Sequence, residues 1–104
     1  MATSSNGRRQ HTAEAAHVER AFRRHGFRKV DAYRYNPASI RVRVISKRFA
    51  GVSPMRRVKM ADTVIHTLPE DIQADIVFVV LLTPAEVKDS TMNEKFEKPD
   101  PPLL

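Results

Sequence analysis

The residues best placed to do chemistry in this chain are cations. Arg41, Arg43, Lys47, Arg48, Arg56, Arg57 and Lys59 crowd into one stretch, SIRVRVISKRFAGVSPMRRVKM, residues 39–60. Guanidinium and ammonium groups at this density grip phosphate oxygens and release the counterions condensed on them. Gly51 lies among them at a point where the chain must turn, and it belongs to the same expected surface. Tyr33 and Tyr35, just upstream, are rings on which bases stack. The chemistry implied is reversible, non-covalent binding of DNA or RNA.

Other constellations are sparse. The histidines are His11, His17, His25 and His66. A metal site needs several to converge with carboxylates. His17 and His25 lie eight residues apart and can share a helix face, yet no carboxylate stands at i+4 from either. Each is read as a surface or partly packed histidine. With no cysteine there is no disulfide, thiolate nucleophile or thiolate ligand, a composition compatible with a reducing cytoplasm. No Gly-x-Ser-x-Gly, P-loop or Gly-x-Gly-x-x-Gly occurs, and Glu70-Asp71 reads as a solvated loop pair. No enzyme, metal or cofactor is expected.

Charge is unevenly spread over the 104 residues. Residues 1–26 carry five Arg and two Glu, a net +3. Residues 27–60 carry ten Lys and Arg against Asp31 alone, a net +9. Residues 61–104 carry three Lys against nine Asp and Glu, a net −6. The first two-thirds attracts polyanions and the last third repels them. The acidic stretch 89–100 is placed to fold back and compete for the basic surface. No run of 18 apolar residues exists and the start, MATSSNGRRQ, lacks the apolar core of a secretory signal. A membrane partner is not expected, and the expected location is cytoplasmic.

The elements that must position the cations follow from periodicity. Residues 1–10 read as a disordered arm and 11–87 as one domain. Thr12 caps a helix over 12–25, with Ala15, Val18, Ala21 and Phe22 as its apolar stripe and Gly26 at its end. Residues 27–35 form a strand with Val30 and Ala32 inward and Tyr33 and Tyr35 outward. Asn36-Pro37 turns it into an antiparallel partner, in which Ile40, Val42 and Val44 face the core and Arg41 and Arg43 face out. Ser53-Pro54 opens a second helix over 54–68. Its apolar face is Met55, Val58, Ala61, Val64, Ile65 and Leu68. Residues 75–82 form an apolar strand parallel to the second, covered on both faces or tucked against a partner. Thr83-Pro84-Ala85-Glu86 starts a short last helix, and 88–104 is a polar, proline-rich tail. The order is α-β-β-α-β, an α+β domain.

At this point the chain resembles the BolA-like proteins. The resemblance covers about residues 14–87. It rests on Phe49-Ala50-Gly51-Val52-Ser53, on Arg57-Val58-Lys59-Met60 opening the helix, and on Leu82-Thr83-Pro84-Ala85-Glu86 after the last strand. It implies a fold similar to the type II KH domain with a three-stranded mixed sheet. Some members are described as DNA-binding regulators; others pair with monothiol glutaredoxins and share an iron–sulfur cluster. Three positions depart from the pattern. Val58 stands where the family helix has His, Asp75 stands where the third strand has a ligating His, and the turn Tyr35-Asn36-Pro37-Ala38 has neither His nor Cys. A carboxylate is a poor substitute for imidazole at such a cluster. The loop Gly51-Val52-Ser53-Pro54 is also not Gly-x-x-Gly. Two functions stay open: a nucleic-acid-binding regulator, or an adaptor that docks a glutaredoxin-type partner through the apolar third strand or a sheet face without metal ligands of its own.

Overall fold

The computed structural model describes residues 9–99. It contains α1 (Ala13–Arg24), β1 (Lys29–Asn36), β2 (Ser39–Ile45), a 3-10 turn (Lys47–Phe49), α2 (Pro54–Ile65), α3 (Glu70–Asp75), β3 (Ile76–Leu82), a 3-10 helix (Pro84–Asp89) and α4 (Thr91–Glu97). The three strands form one mixed sheet in the order β1-β2-β3. β1 and β2 are antiparallel, and β2 and β3 are parallel. The small α+β domain with a three-stranded mixed sheet is the architecture the sequence implies.

Strand alternation divides the sheet into two faces. On one, Val30, Ala32, Ile40, Val42 and Val44 meet Ala15, Val18, Ala21 and Phe22 of α1 and Ala61, Val64 and Leu68 from α2 and the turn after it. The other carries a second cluster of Tyr33, Val80 and Phe96, with Tyr35, Phe78 and Leu82 at its rim.

Cap chemistry sets the helix ends. Thr12 accepts the N–H of Ala15 at 3.2 Å and Ser53 accepts that of Arg56 at 3.3 Å. In the hairpin turn, Asn36 Oδ1 accepts the Ala38 N–H at 2.8 Å. The outer edge of β1 is blunted rather than left as a pairing template. Glu19 Oε2 accepts the Ala32 N–H at 2.9 Å, and Gln10 bridges Arg34 through both backbone groups. Glu19 is buried on α1 and is held on its other oxygen by His11 at 2.8 Å.

Four expectations need correction. Residues 1–8 and 100–104 lie outside the described residues, but Arg9 and Gln10 of the expected arm are held: Arg9 lies over the Tyr33 ring and donates to the Glu97 carbonyl. The expected tail carries α4, because Ser90 caps it at the Asn93 N–H and Phe96 is an anchor to bury. Residue 75 ends a helix instead of starting the strand, and Glu70 and Asp71 occupy that helix's first turn, where its positive end suits them. Finally, the apolar face of α2 starts later than its periodicity suggests. Met55 is 72% exposed and Val58 50% exposed. At 3.6 residues per turn Arg57, not Val58, shares the inward face with Ala61, Val64 and Leu68.

Phe96 is the side chain that fixes α4, so Phe96→Ala is expected to cost on the order of 3 kcal/mol of unfolding free energy. Urea titration of the two proteins measures it, and an unchanged midpoint would contradict the docking of α4.

Candidate nucleic-acid interface

The sheet splits the expected cationic surface. β2 does send Arg41 and Arg43 to the face away from α1 and α2, but α4 covers part of that face. Arg43 has a side chain only 10% exposed. Its guanidinium bonds Asp31 at 2.8 Å, Asn93 at 3.0 Å and Glu97, and lies 4.7 Å from the Phe96 ring centre. Burial opposes its charge, but hydrogen bonds to Asp31 and Glu97 outweigh that and raise its pKa above the ordinary arginine value. Arg41 lies over the rings of Tyr35, at 4.0 Å, and Phe78, at 5.0 Å. Tyr33, expected outward as a stacking ring, is buried beneath α4 and donates to the Phe96 carbonyl at 2.7 Å. Burial raises its pKa. It offers no face to a base.

Arg57 is likewise occupied. Its Nη1 and Nη2 meet the two oxygens of Glu86 at 2.7 and 3.0 Å. The same side chain donates to the carbonyls of Val52 and Leu81. This fork ties the start of α2 to the segment after β3. The Arg57 hydrogen bond, helped by the Thr83 N–H, lowers the Glu86 carboxyl from 4.5 to about 2.

Lys47, Arg48, Gly51, Arg56 and Lys59 remain exposed. Gly51 has φ +72°, and no atom crowds the place a Cβ would take; glycine is needed there for backbone conformation alone. Arg56 and Lys59 stand on the solvent side of α2. Lys47 and Arg48 sit on the turn after β2, where Ser46 Oγ accepts the Arg48 N–H at 3.1 Å. Phe49 roots this turn in the core, stacked on Phe27 at 5.6 Å between centroids, and Phe27 meets Phe22 edge-on at 5.9 Å.

The antiparallel register pairs Lys29 with Ile45 and so brings Arg28 and Lys29 beside Lys47 and Arg48. These four cations line one open groove of about 710 Å³, with Ile45, Pro84 and Val87 among its apolar walls. No carboxylate is among the residues lining it. Arg28 and Lys29 are absent from the expected site. The hairpin was the signal that places them: a turn closed by residues 36 and 39 sets 29 opposite 46, and the register shift between Arg34 and Asn36 moves it to Ile45.

Arg48 is held from one side. Its guanidinium lies over the Phe27 ring at 4.1 Å, and Nη1 donates to the His25 carbonyl at 2.9 Å. Gly26 has φ +92°, and a Cβ there would come within 3.1 Å of Arg48 Nη1. Glycine at 26 thus serves both the helix end and the seat of Arg48.

The other sequence candidates are dispersed. His25 and His66 bond carbonyls of their own helices through Nδ1, at 2.9 and 2.8 Å. Asp75 pairs with Arg34 at 3.0 Å. Among the described residues no three His, Cys, Asp or Glu side chains converge as a metal site, and no helix is long and apolar enough to cross a membrane. No family model matches the chain, and no curated protein or solved structure matches it.

The Glu86 carboxyl gives a pH signature. A carboxylate whose pKa is depressed by folding adds stability that is complete above its ordinary value of 4.5 and lost as pH falls toward about 2. Glu86→Gln is therefore expected to be less stable than the parent at pH 7, with the gap closing between pH 4.5 and 2. Denaturant titrations across that range check it; a gap independent of pH would contradict the role given to the fork.

Proposed function

We propose that this chain is a non-enzymatic, BolA-like nucleic-acid-binding module that grips phosphates at one end of its sheet. One observation carries the reading: Arg28, Lys29, Lys47 and Arg48 line a single groove with no carboxylate among its lining residues. Such a site attracts a polyanion from a distance and needs no internal counter-charge to be broken first. Arg56 and Lys59 extend the field along α2. The order of elements and the antiparallel–parallel sheet support the BolA-like part of the proposal. Phosphate contacts fix register and supply affinity but carry no base sequence, so the binding proposed is weakly specific and salt-sensitive.

A second reading has its own observation. β3 is an edge strand without a charged residue, Val77 on it is 61% exposed, and Val58 and Met55 are exposed on α2. An uncovered apolar edge favours an adaptor that docks a partner protein, of the glutaredoxin type by resemblance. The two surfaces are different, and one chain has room for both.

The charge-reversal pair Arg28→Glu with Lys47→Glu tests the first reading. Both side chains are exposed, so the fold is expected to survive. Affinity for random DNA and RNA is expected to fall at least tenfold at low salt. The salt slope should flatten by about 0.7 per lost contact on single strands and about 0.9 on duplex. Anisotropy titrations at several salt concentrations measure both, and unchanged affinity would remove the groove from the account.

A further inference from the structure

Resting on the phosphate-binding reading, we propose that the groove takes an unpaired base of single-stranded nucleic acid, stacked on the outer face of the Arg48 guanidinium. Arg28, Lys29 and Lys47 then hold the flanking phosphates.

Three features of the groove point to a base. The first is shape. A duplex presents rounded ridges of phosphate and keeps its bases stacked inside, whereas a concavity of about 710 Å³ with Ile45, Pro84 and Val87 in its walls admits one flat heterocycle. The apolar walls are wasted on phosphate and suit a base.

The second is the state of Arg48. One Nη1–H of the Arg48 guanidinium is engaged by the His25 carbonyl and one of its faces by Phe27, so its plane is fixed. Its remaining donors stay available to a phosphate, and its other face gives a base a delocalised cation to stack on. Because Phe27, His25 and Gly26 seat the side chain beforehand, stacking on it gives up little rotamer freedom.

The third is the fate of the aromatic rings. No ring lines the groove. Tyr33 is buried under α4, and Tyr35 lies against Arg41. Stacking at this end of the sheet therefore falls to Arg48, with Phe27 as its backing.

The experiment compares three labelled probes on the full chain: a short single strand, the same strand made abasic throughout its centre, and a duplex. Each is titrated against wild type, Arg48→Lys, and the Arg28→Glu/Lys47→Glu pair. Lysine keeps the charge and loses the plane. The expected result is that Arg48→Lys loses roughly five- to a hundredfold more affinity for the ordinary strand than for the abasic strand or the duplex; an equal loss on all three overturns the base inference. Wild type should itself prefer the ordinary to the abasic strand. If wild type binds ordinary and abasic strands alike, or Arg48→Lys matches wild type on the ordinary strand, the base inference is overturned. In that event, weakening of all probes by the reversal pair leaves the phosphate reading standing. Failure of every probe to bind at low salt overturns both, as does equal affinity for a poly-glutamate peptide of the same charge, which would make the groove a general anion site.

Discussion

A guanidinium that is almost covered must be met by carboxylates, and Arg43 sets that requirement at the centre of the sheet. Asp31 on the neighbouring strand supplies one and Glu97 on α4 the other. Removing either would leave a buried charge short of partners, which is costly. The pair therefore works with Phe96 to hold the chain's last described helix on a face that would otherwise stand open. The same logic recurs at Arg57 with Glu86 and at Arg34 with Asp75. In each of these three cases a cation from the basic middle of the chain is answered by an acid from its last third.

This pairing decides which cations stay open. In sequence the middle of the chain is uniformly basic. In space Arg43 on the sheet face is answered by Asp31 and Glu97, while the four cations at the end of the sheet where β1 begins and β2 finishes line a groove without a carboxylate. That end is also where Phe22, Phe27 and Phe49 pack together and make the ground firm beneath Arg48. Arginines of one stretch thus stand in different states: Arg43 and Arg57 hold elements together, while Arg48 is exposed at the groove where we propose that binding occurs. The turn that separates these roles begins directly after β2, where the alternation that buries Arg43 no longer applies.

Much of the fold was legible because its signals are local. Thr12, Ser53-Pro54 and Asn36-Pro37 mark ends and turns by their own chemistry, and the inward positions of α1 and β2 follow from period alone. One miss is local, the short helix Glu70–Asp75; the others are long-range. Val58 reads as core by period, but Arg57 takes the inward position because Glu86 waits for it 29 residues later. Residues 88–97 look like a tail by composition, since a single Phe96 among polar residues gives no periodic signal. Tyr33 reads as an outward ring, which it is until α4 covers it. At the site, Lys47, Arg48, Gly51, Arg56 and Lys59 stay exposed as expected. Arg41 and Arg43 do not join them as one open surface, because β alternation says which face a residue takes and not what later lies on that face.

The central claim is that binding sits at the end of the sheet and not on its covered face. Amide chemical-shift mapping during titration with a short single-stranded oligonucleotide tests it most directly. The account predicts that Gly26, Arg28, Lys29, Ser46, Lys47 and Arg48 move first and furthest, with Arg43 and Phe96 unmoved. Largest shifts at Tyr35, Arg41 and Phe78, with the groove silent, would contradict it.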